Sequence, residues 1–516
     1  MPESTYLVGW DCNTSISRRG FVAMCGAASA ALLVGCSSAQ SGSGLDSSVF
    51  SSPAGAWEKV RDISYRSGDL YVTEYTNDGF GHSLHKAEYK LNSLTSSDKD
   101  LLFSFDNDEG WLDSLDADLQ NTVDFEYDSD GRTTFQATES YEHSRQLGRT
   151  ESAFLYDERG NLIERTDTST SSEGASKTYI STFDYDYYND GSWDIHSAEE
   201  VSAGTRGQYE SYDEKGHLIH KESYSEDGSL YYQLDCEYDD NGNQTCQYCT
   251  GESGRIQGPM SSFENDYDEN GRLISSRSLG TQNTSWAHTY HDGSYLHLEI
   301  VQRQGWTNGY EYIVYDPAGN QLMSWDSEAQ EANVAGFDSE GRLIDARYID
   351  EASTVTQRQC SFYDSYGNKL ATASFDETGF SVFTAMFVNS ATHARSVGDT
   401  LFDFIESNKA AGASSYGSLE EFASDPSSEC QGVWCSGRLV MAFMSDGAVE
   451  AVWPQLDGSS SIESGTWTES GDKIEITFAS RPSIYSLECD SQGNANLVVN
   501  MSAEKVYRVS NELVKA

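Results

Sequence analysis

Four tryptophans, Trp193, Trp286, Trp306 and Trp325, recur along the middle of the chain among Asp, Asn and Gln residues. An indole held at a surface can stack on the apolar face of a sugar ring while neighbouring carboxylates and amides bond the hydroxyls, so these residue types point to glycan recognition. Catalytic chemistry is harder to find. The chain has no Gly-x-Ser-x-Gly elbow, His-Glu-x-x-His helix or phosphate loop, and no two of its 10 histidines lie four apart. His217 and His220 lie three apart on a strand, where they face opposite ways. With 83 acidic residues, accidental carboxylate pairs are unavoidable, so pairing alone argues for no hydrolase.

Cys430 and Cys435 are spaced to close a loop at the start of a terminal domain, and a disulfide between them is expected. Cys246-Gln247-Tyr248-Cys249 has the spacing of a redox dithiol or half a zinc site. It follows a hairpin turn instead of opening a helix, which favours a structural bridge involving Cys236. Asp128-Ser129-Asp130 and Asp239-Asp240-Asn241 gather hard oxygen ligands in tight turns, so calcium is a candidate ion as well, although the closing Glu of a full calcium loop is absent.

These residues are positioned by a repeated phrase, an aromatic followed by Asp, two variable residues and Gly. It occurs at Tyr127, Tyr156, Tyr212, Tyr238, Tyr267, Tyr315, Phe337 and Tyr363, with looser copies at Tyr187 to Gly191 and Tyr290 to Gly293, at intervals of 22 to 31 residues. Asp accepts hydrogen bonds from amides just ahead of it, and Gly supplies the positive φ that closes the loop. Flanking stretches such as Ser152-Ala153-Phe154-Leu155-Tyr156 and Asn161-Leu162-Ile163-Glu164-Arg165 have strand length and composition, so each unit reads as a β-hairpin stacked on its neighbours.

The pieces Tyr156-Asp157-Glu158-Arg159-Gly160-Asn161-Leu162 and Tyr267-Asp268-Glu269-Asn270-Gly271-Arg272-Leu273 resemble the tyrosine-aspartate repeats of bacterial Rhs-type and teneurin-like shell proteins, over roughly residues 120 to 380. The resemblance implies one long sheet of successive hairpins, coiled around a cavity or forming a curved surface. The number of repeats is small for enclosing a large cargo, and a short open sheet is the expectation.

Ser17-Arg18-Arg19-Gly20-Phe21-Val22 precedes a short apolar stretch and reads as a twin-arginine export signal with Arg18 and Arg19 at its centre. Leu33-Val34-Gly35-Cys36 resembles the lipobox of bacterial lipoproteins, which implies cleavage and a lipid on Cys36, and the Ser/Gly-rich run behind it suits a tether. The formal charge of -50 sets nucleic acid aside as a partner, since one polyanion repels another.

The expected organisation is a signal peptide over 1–35, a lipidated Cys36 with its tether over 36–53 and a capping region over 54–119. The hairpin array follows over 120–380, then a partly helical linker over 381–429 and a terminal domain over 430–516. The last part offers strands such as Leu439 to Met444, Ala448 to Trp453 and Lys473 to Phe478, enough for a small antiparallel barrel or sandwich, with a faint likeness to bacterial lipocalin-like modules around Gly465-Thr466-Trp467. The fold class is therefore mainly all-β. The function expected is a lipid-anchored extracellular binding or adhesion scaffold for glycans or a surface protein. A polysaccharide-processing enzyme of the cell wall and a structural spacer are the alternatives.

Overall fold

The computed structural model describes residues 57–389, 394–395 and 432–510, apart from 67, 79, 93–101, 103–110, 144, 202–203, 241, 252–255, 279–283, 306–307, 339, 353–354, 364–366, 377–378, 471–472, 482, 490–494 and 500–501. Strands β1 (Trp57–Arg66), β2 (Asp69–Asn77), β3 (Ser83–Leu91) and β4 (Ala117–Tyr127) open a sheet that continues hairpin by hairpin from β5 (Thr133–Glu142) to β15 (Leu273–Ser278). Then come β16 (Ser285–Asp292), β17 (His297–Gln304), β18 (Gly309–Tyr315), β19 (Gln321–Asp326), β20 (Ala332–Phe337) and β21 (Leu343–Ile349). β22 (Val355–Tyr363), β23 (Lys369–Asp376), β24 (Gly379–Asn389) and the short β25 (Ala394–Arg395) complete a 25-stranded sheet.

Each strand pairs antiparallel with the next, and β24 returns to pair with β1 from Trp57↔Asn389 to Tyr65↔Val382. The array is consequently a closed ring, where an open sheet was expected. The closing strand comes from the region before the first clear motif, and pairing it removes the two free edges that an open array would expose. β3 and β4 are joined by a stretch that includes a 3-10 helix, Trp111–Ser114. The Arg61 guanidinium lies 4.2 Å from the Trp111 ring and donates to the Leu102 carbonyl at 2.6 Å.

The repeated phrase explains how the hairpins lock. At Asp128 the carboxylate Oδ1 accepts the amides of Asp130 and Arg132 at 2.9 and 3.0 Å, while Oδ2 accepts Nε of Arg132 at 2.7 Å. The same arrangement recurs with Asn161 on Asp157, His217 on Asp213, Arg272 on Asp268, Asn320 on Asp316 and Arg342 on Asp338. His82 on Asp78 makes the region after β2 a true first repeat. Gly131, Gly160 and Gly271 close their turns at φ of 78°, 88° and 78°, the left-handed region a side chain resists.

Each turn also grips the next. Tyr127, Tyr156, Tyr238 and Tyr290 donate to the carbonyls of Ser83, Thr133, Leu218 and Leu273 in the preceding hairpin, at 2.8 to 3.0 Å. Their rings are covered by the residue after the previous motif glycine: His82 on Tyr127 at 4.7 Å, His217 on Tyr238 at 4.6 Å, and Arg272 over Tyr290 at 4.4 Å. Motif tyrosines therefore serve hairpin stacking.

The chain after Gly432 forms a closed eight-stranded barrel, settling the choice between barrel and sandwich. It begins with β26 (Val433–Ser436), β27 (Leu439–Phe443) and β28 (Ala448–Val452), continues through β29 (Ile462–Ser470), β30 (Lys473–Phe478), β31 (Ile484–Cys489) and β32 (Ala495–Val499), and closes with β33 (Ser502–Ser510). Trp434, Met441, Phe443, Val449, Ile476, Phe478, Leu487 and Val506 fill its interior. A second core lies between barrel and array. Val433, Cys435, Val440, Ala442 and Val452 from the outside of the barrel meet Leu298, Ile300, Tyr312, Val314, Met323, Trp325 and Val334 from β17 to β20. β26 to β28 are thus buried on both sides, whereas β30 alternates buried and exposed.

Candidate functional site

Strand alternation gives the ring two faces, a docking face on which the barrel rests and an open face opposite. The four predicted platforms have different fates. Trp325 is 1% exposed, paired with Ala332 and Tyr312 and covered by the barrel, so it is no platform; the expectation of a surface ring fails because the second core lies over it. Trp193 is half-buried and fills the position after Gly191-Ser192 that Leu162 and Leu218 fill in other repeats, paired with Tyr187 as Leu162 is with Tyr156. Its ring stacks on Tyr212 at 4.0 Å and 8°. It is a repeat-consensus residue, engaged in packing. Trp306 lies outside the described residues, as do Arg18, Arg19, Cys36, Cys430 and the helices expected in the linker.

Trp286 remains. It is half-buried on the open face of β16, paired with Ser276 and Arg303, with the Phe263 ring of β14 (Ile256–Tyr267) 6.1 Å away. Alternation and register place His288, Glu299, Arg303, Glu311 and Asp326 on that same face of β16 to β19. The Glu299 carboxylate accepts from His288 Nδ1 at 2.7 Å and from Tyr315 at 3.1 Å, and Arg303 pairs with Asp326. Burial pushes the Glu311 carboxyl up, Arg303 draws it down, and Asp326 and Glu299 add to the rise. Tyr290, beside Glu299, is pushed up to about 12, chiefly by burial. The result is an aromatic ring beside hydrogen-bonding groups of both polarities, in a state suited to hydroxyls.

A second polar row, which the sequence reading missed, crosses the docking face away from the barrel, between β8 (Ser176–Tyr187) and β12 (Leu230–Tyr238). His196 lies 3.8 Å from Asp186 and 4.6 Å from the Tyr209 ring; Tyr209 donates to Asp194 at 2.9 Å; His220 reaches Asp235 at 2.5 Å and Glu222 at 3.4 Å. Its only signal was alternation within strands that the register brings side by side, and register is not local information. Polar residues such as these lie on one face of β8 to β12, and Lys177, Asp167, Glu210 and Lys221 lie on the other face of β7 to β11.

The bridge expected at Cys236 is not formed. Cys236 and Cys246 are free, buried thiols whose register puts them on opposite faces, which rules out a bridge between them. Cys435 is a free thiol on the array side of the barrel, raised by burial and facing Arg347 and Asp345. Asp345 is buried on β21. Burial pushes its carboxyl up, but Arg347 at 2.7 Å and Arg358 at 3.0 Å outweigh this and hold it below the usual carboxylate range. Where calcium was considered, Arg132 already bridges Asp128 and Asp130, at 2.7 and 2.8 Å. Among the described residues no group of three His, Cys, Asp or Glu is arranged to hold a metal ion.

No family model matches the chain, and no curated protein matches it. Among solved structures it is similar to TcdB2-TccC3-Cdc42, at 11% identity and a TM-score of 0.24, over 84% of this chain and 27% of that one. It is similar also to TcdB2-TccC3 without its hypervariable C-terminal region, at 10% identity and a TM-score of 0.22, over 86% and 34%. A porin-like protein from Bacteroides uniformis matches at 10% identity and a TM-score of 0.18, over 49% of this chain and 95% of that one. The chain spans about a third or less of the first two of these structures' chains, and at these TM-scores the likeness carries no argument about function.

Proposed function

We propose that the chain is a lipid-anchored extracellular scaffold whose hairpin ring binds glycans, with Trp286 as the platform. The observation that carries this reading is the placement of a half-buried indole on one face with His288, Glu299, Arg303, Glu311 and Asp326. A sugar ring laid on the indole would find donors and acceptors for its hydroxyls beside it, and a surface aromatic of this kind often dominates recognition energy. Export through Arg18 and Arg19 and anchoring through Cys36 belong to the same proposal, supported by the sequence of the leader. Mass spectrometry of the processed N-terminus in the parent and in Cys36→Ala tests the anchor: identical unmodified N-termini would refute it.

Binding is tested by screening the secreted part against cell-wall and host glycans, then titrating a hit. Trp286→Ala should weaken attachment at least tenfold, about 1.4 kcal/mol, with an unchanged melting temperature. A variant that binds like the parent overturns the assignment. Glu299 and the raised Glu311 carboxyl on adjacent strands favour a second reading, polysaccharide hydrolysis with Glu311 as the acid. Glycan release that disappears in Glu311→Gln, while binding persists, would promote it.

A further inference from the structure

The turn between β16 and β17 is the repeat that has lost its motif. Tyr290-His291-Asp292-Gly293 is one residue short of the usual spacing, and no Asp of its own caps the amides that follow. The cap comes instead from the barrel. Glu450, in β28, is 4% exposed, and its carboxylate accepts the amides of Ser294, Tyr295 and Leu296 at 2.7, 2.9 and 2.8 Å and the Ser294 hydroxyl at 2.8 Å. Successive backbone amides turned toward one point form a cradle for an anion. The fit is close on both sides, since a Cβ on Gly293 would lie 3.0 Å from both Glu450 oxygens and 2.8 Å from the Leu296 carbonyl.

The surrounding contact is largely of another kind, with hydrogen bonds from the Tyr312 hydroxyl to the Gln455 carbonyl and from Arg438 to Gln330 beside it. Val452 and Ala448, which flank Glu450 on the outside of the barrel, join the apolar core shared with β17 to β20. Apolar burial supplies attraction but little direction. Four hydrogen bonds to one carboxylate fix orientation, and leaving such a group buried without them is costly. The barrel meanwhile has its own closed hydrogen-bonded ring and its own interior, distinct from the core it shares with the array.

We propose that the C-terminal barrel is a separable cover over the apolar docking face of β17 to β20, latched by Glu450 in the amide cradle of the degenerate turn. The turn has not decayed; its capping carboxylate is supplied by a residue far along the chain. When the latch is broken, the barrel keeps its fold while Leu298, Ile300, Tyr312, Met323 and Trp325 become accessible.

The test is hydrogen exchange with mass spectrometry on the full chain, comparing the parent with Glu450→Gln and Gly293→Ala. Gln has the size of Glu but turns an NH2 toward the amides, and Ala strikes the same contact from the array side. Both should speed exchange at Ser294, Tyr295 and Leu296 at least tenfold and raise fluorescence of a dye that binds apolar surface, while β29 to β32 keep their protection. Parental protection of the turn in both variants overturns the latch. Loss of protection throughout the barrel in both variants overturns the claim that the cover is separable.

Discussion

The ring is built in two ways. From β4 to β15 it is a single layer: among the described residues the buried side chains there are Ala137, Ser152, Asp194, Leu234, Cys236, Cys246, Ser276 and Ser278, which make no core of their own. From β17 to β21 the same kind of sheet buries Leu298, Tyr312, Met323, Trp325, Val334 and Ile349 beneath the barrel. The first region is held by turns that clasp their neighbours, the second by apolar burial. The comparison teaches that one hairpin unit can be stabilised along the sheet or across it.

The largest expected effect tests that contrast with one residue type. Trp325→Ala should cost about 3 to 5 kcal/mol, because it empties a volume in a close-packed core. Trp193→Ala should cost about 1 kcal/mol, the value of a stacked ring pair in a single layer. Urea denaturation measures both, and equal losses would break the distinction between the regions.

Gly160→Val comes next. Its φ of 88° forces a β-branched side chain into the left-handed region, at about 1 to 3 kcal/mol. Since Tyr187 reaches Asn161 at 3.2 Å and Arg159 lies over the Tyr187 ring, faster hydrogen exchange should spread to β8 and β9. Exchange confined to the mutated turn would contradict neighbour coupling.

Acid sharpens the comparison further. At Asp128, Asp157 and Asp213 partial desolvation raises the carboxyl, and the amide and side-chain donors of the turn outweigh it, so each lies below the ordinary value of 3.8. A depressed folded pKa contributes stability that is present above 3.8 and lost as pH falls through the folded value, so the window lies below pH 3.8. Glu450, raised by burial and lowered more by its amides, obeys the same sign below its ordinary 4.5. Exchange at the β4 to β15 turns should therefore quicken one turn at a time below pH 3.8, and at Ser294 to Leu296 below pH 4.5, while the barrel interior of Phe443, Ile476, Leu487 and Val506, which holds no carboxyl group, keeps its protection longer. Simultaneous loss of both regions would count against separate modes of stabilisation.

The smallest effect is expected at Arg159, whose guanidinium lies 4.5 Å from the exposed Tyr187 ring. Arg159→Ala should cost about 0.5 kcal/mol, as exposed cation–π contacts do. A cost above that of Gly160→Val would mean that the arginine rows, not the turns, hold the single layer.

Sequence by itself determined what short range decides. The hairpins, the rim of Asp and Gly turns and the β class are legible because Asp128 bonds amides two and four residues ahead and Gly131 needs its φ whatever surrounds it. The strands of the terminal domain were legible for the same reason, being set off by turns such as Ser445-Asp446-Gly447, while the choice between barrel and sandwich was not. Tertiary structure alone decided the rest. Whether the array is open or closed depends on β1 meeting β24, and an edge strand carries the same backbone groups in either case. Trp193, Trp286 and Trp325 are the same residue type in similar company; the landing place of the barrel buries Trp325, while strand register stacks Trp193 on Tyr212 and leaves Trp286 half-buried on the opposite face. Glu450 read as one acid among 83 until the fold brought it to the amides of Ser294, Tyr295 and Leu296, because a hydrogen bond depends on distance in space and composition carries none.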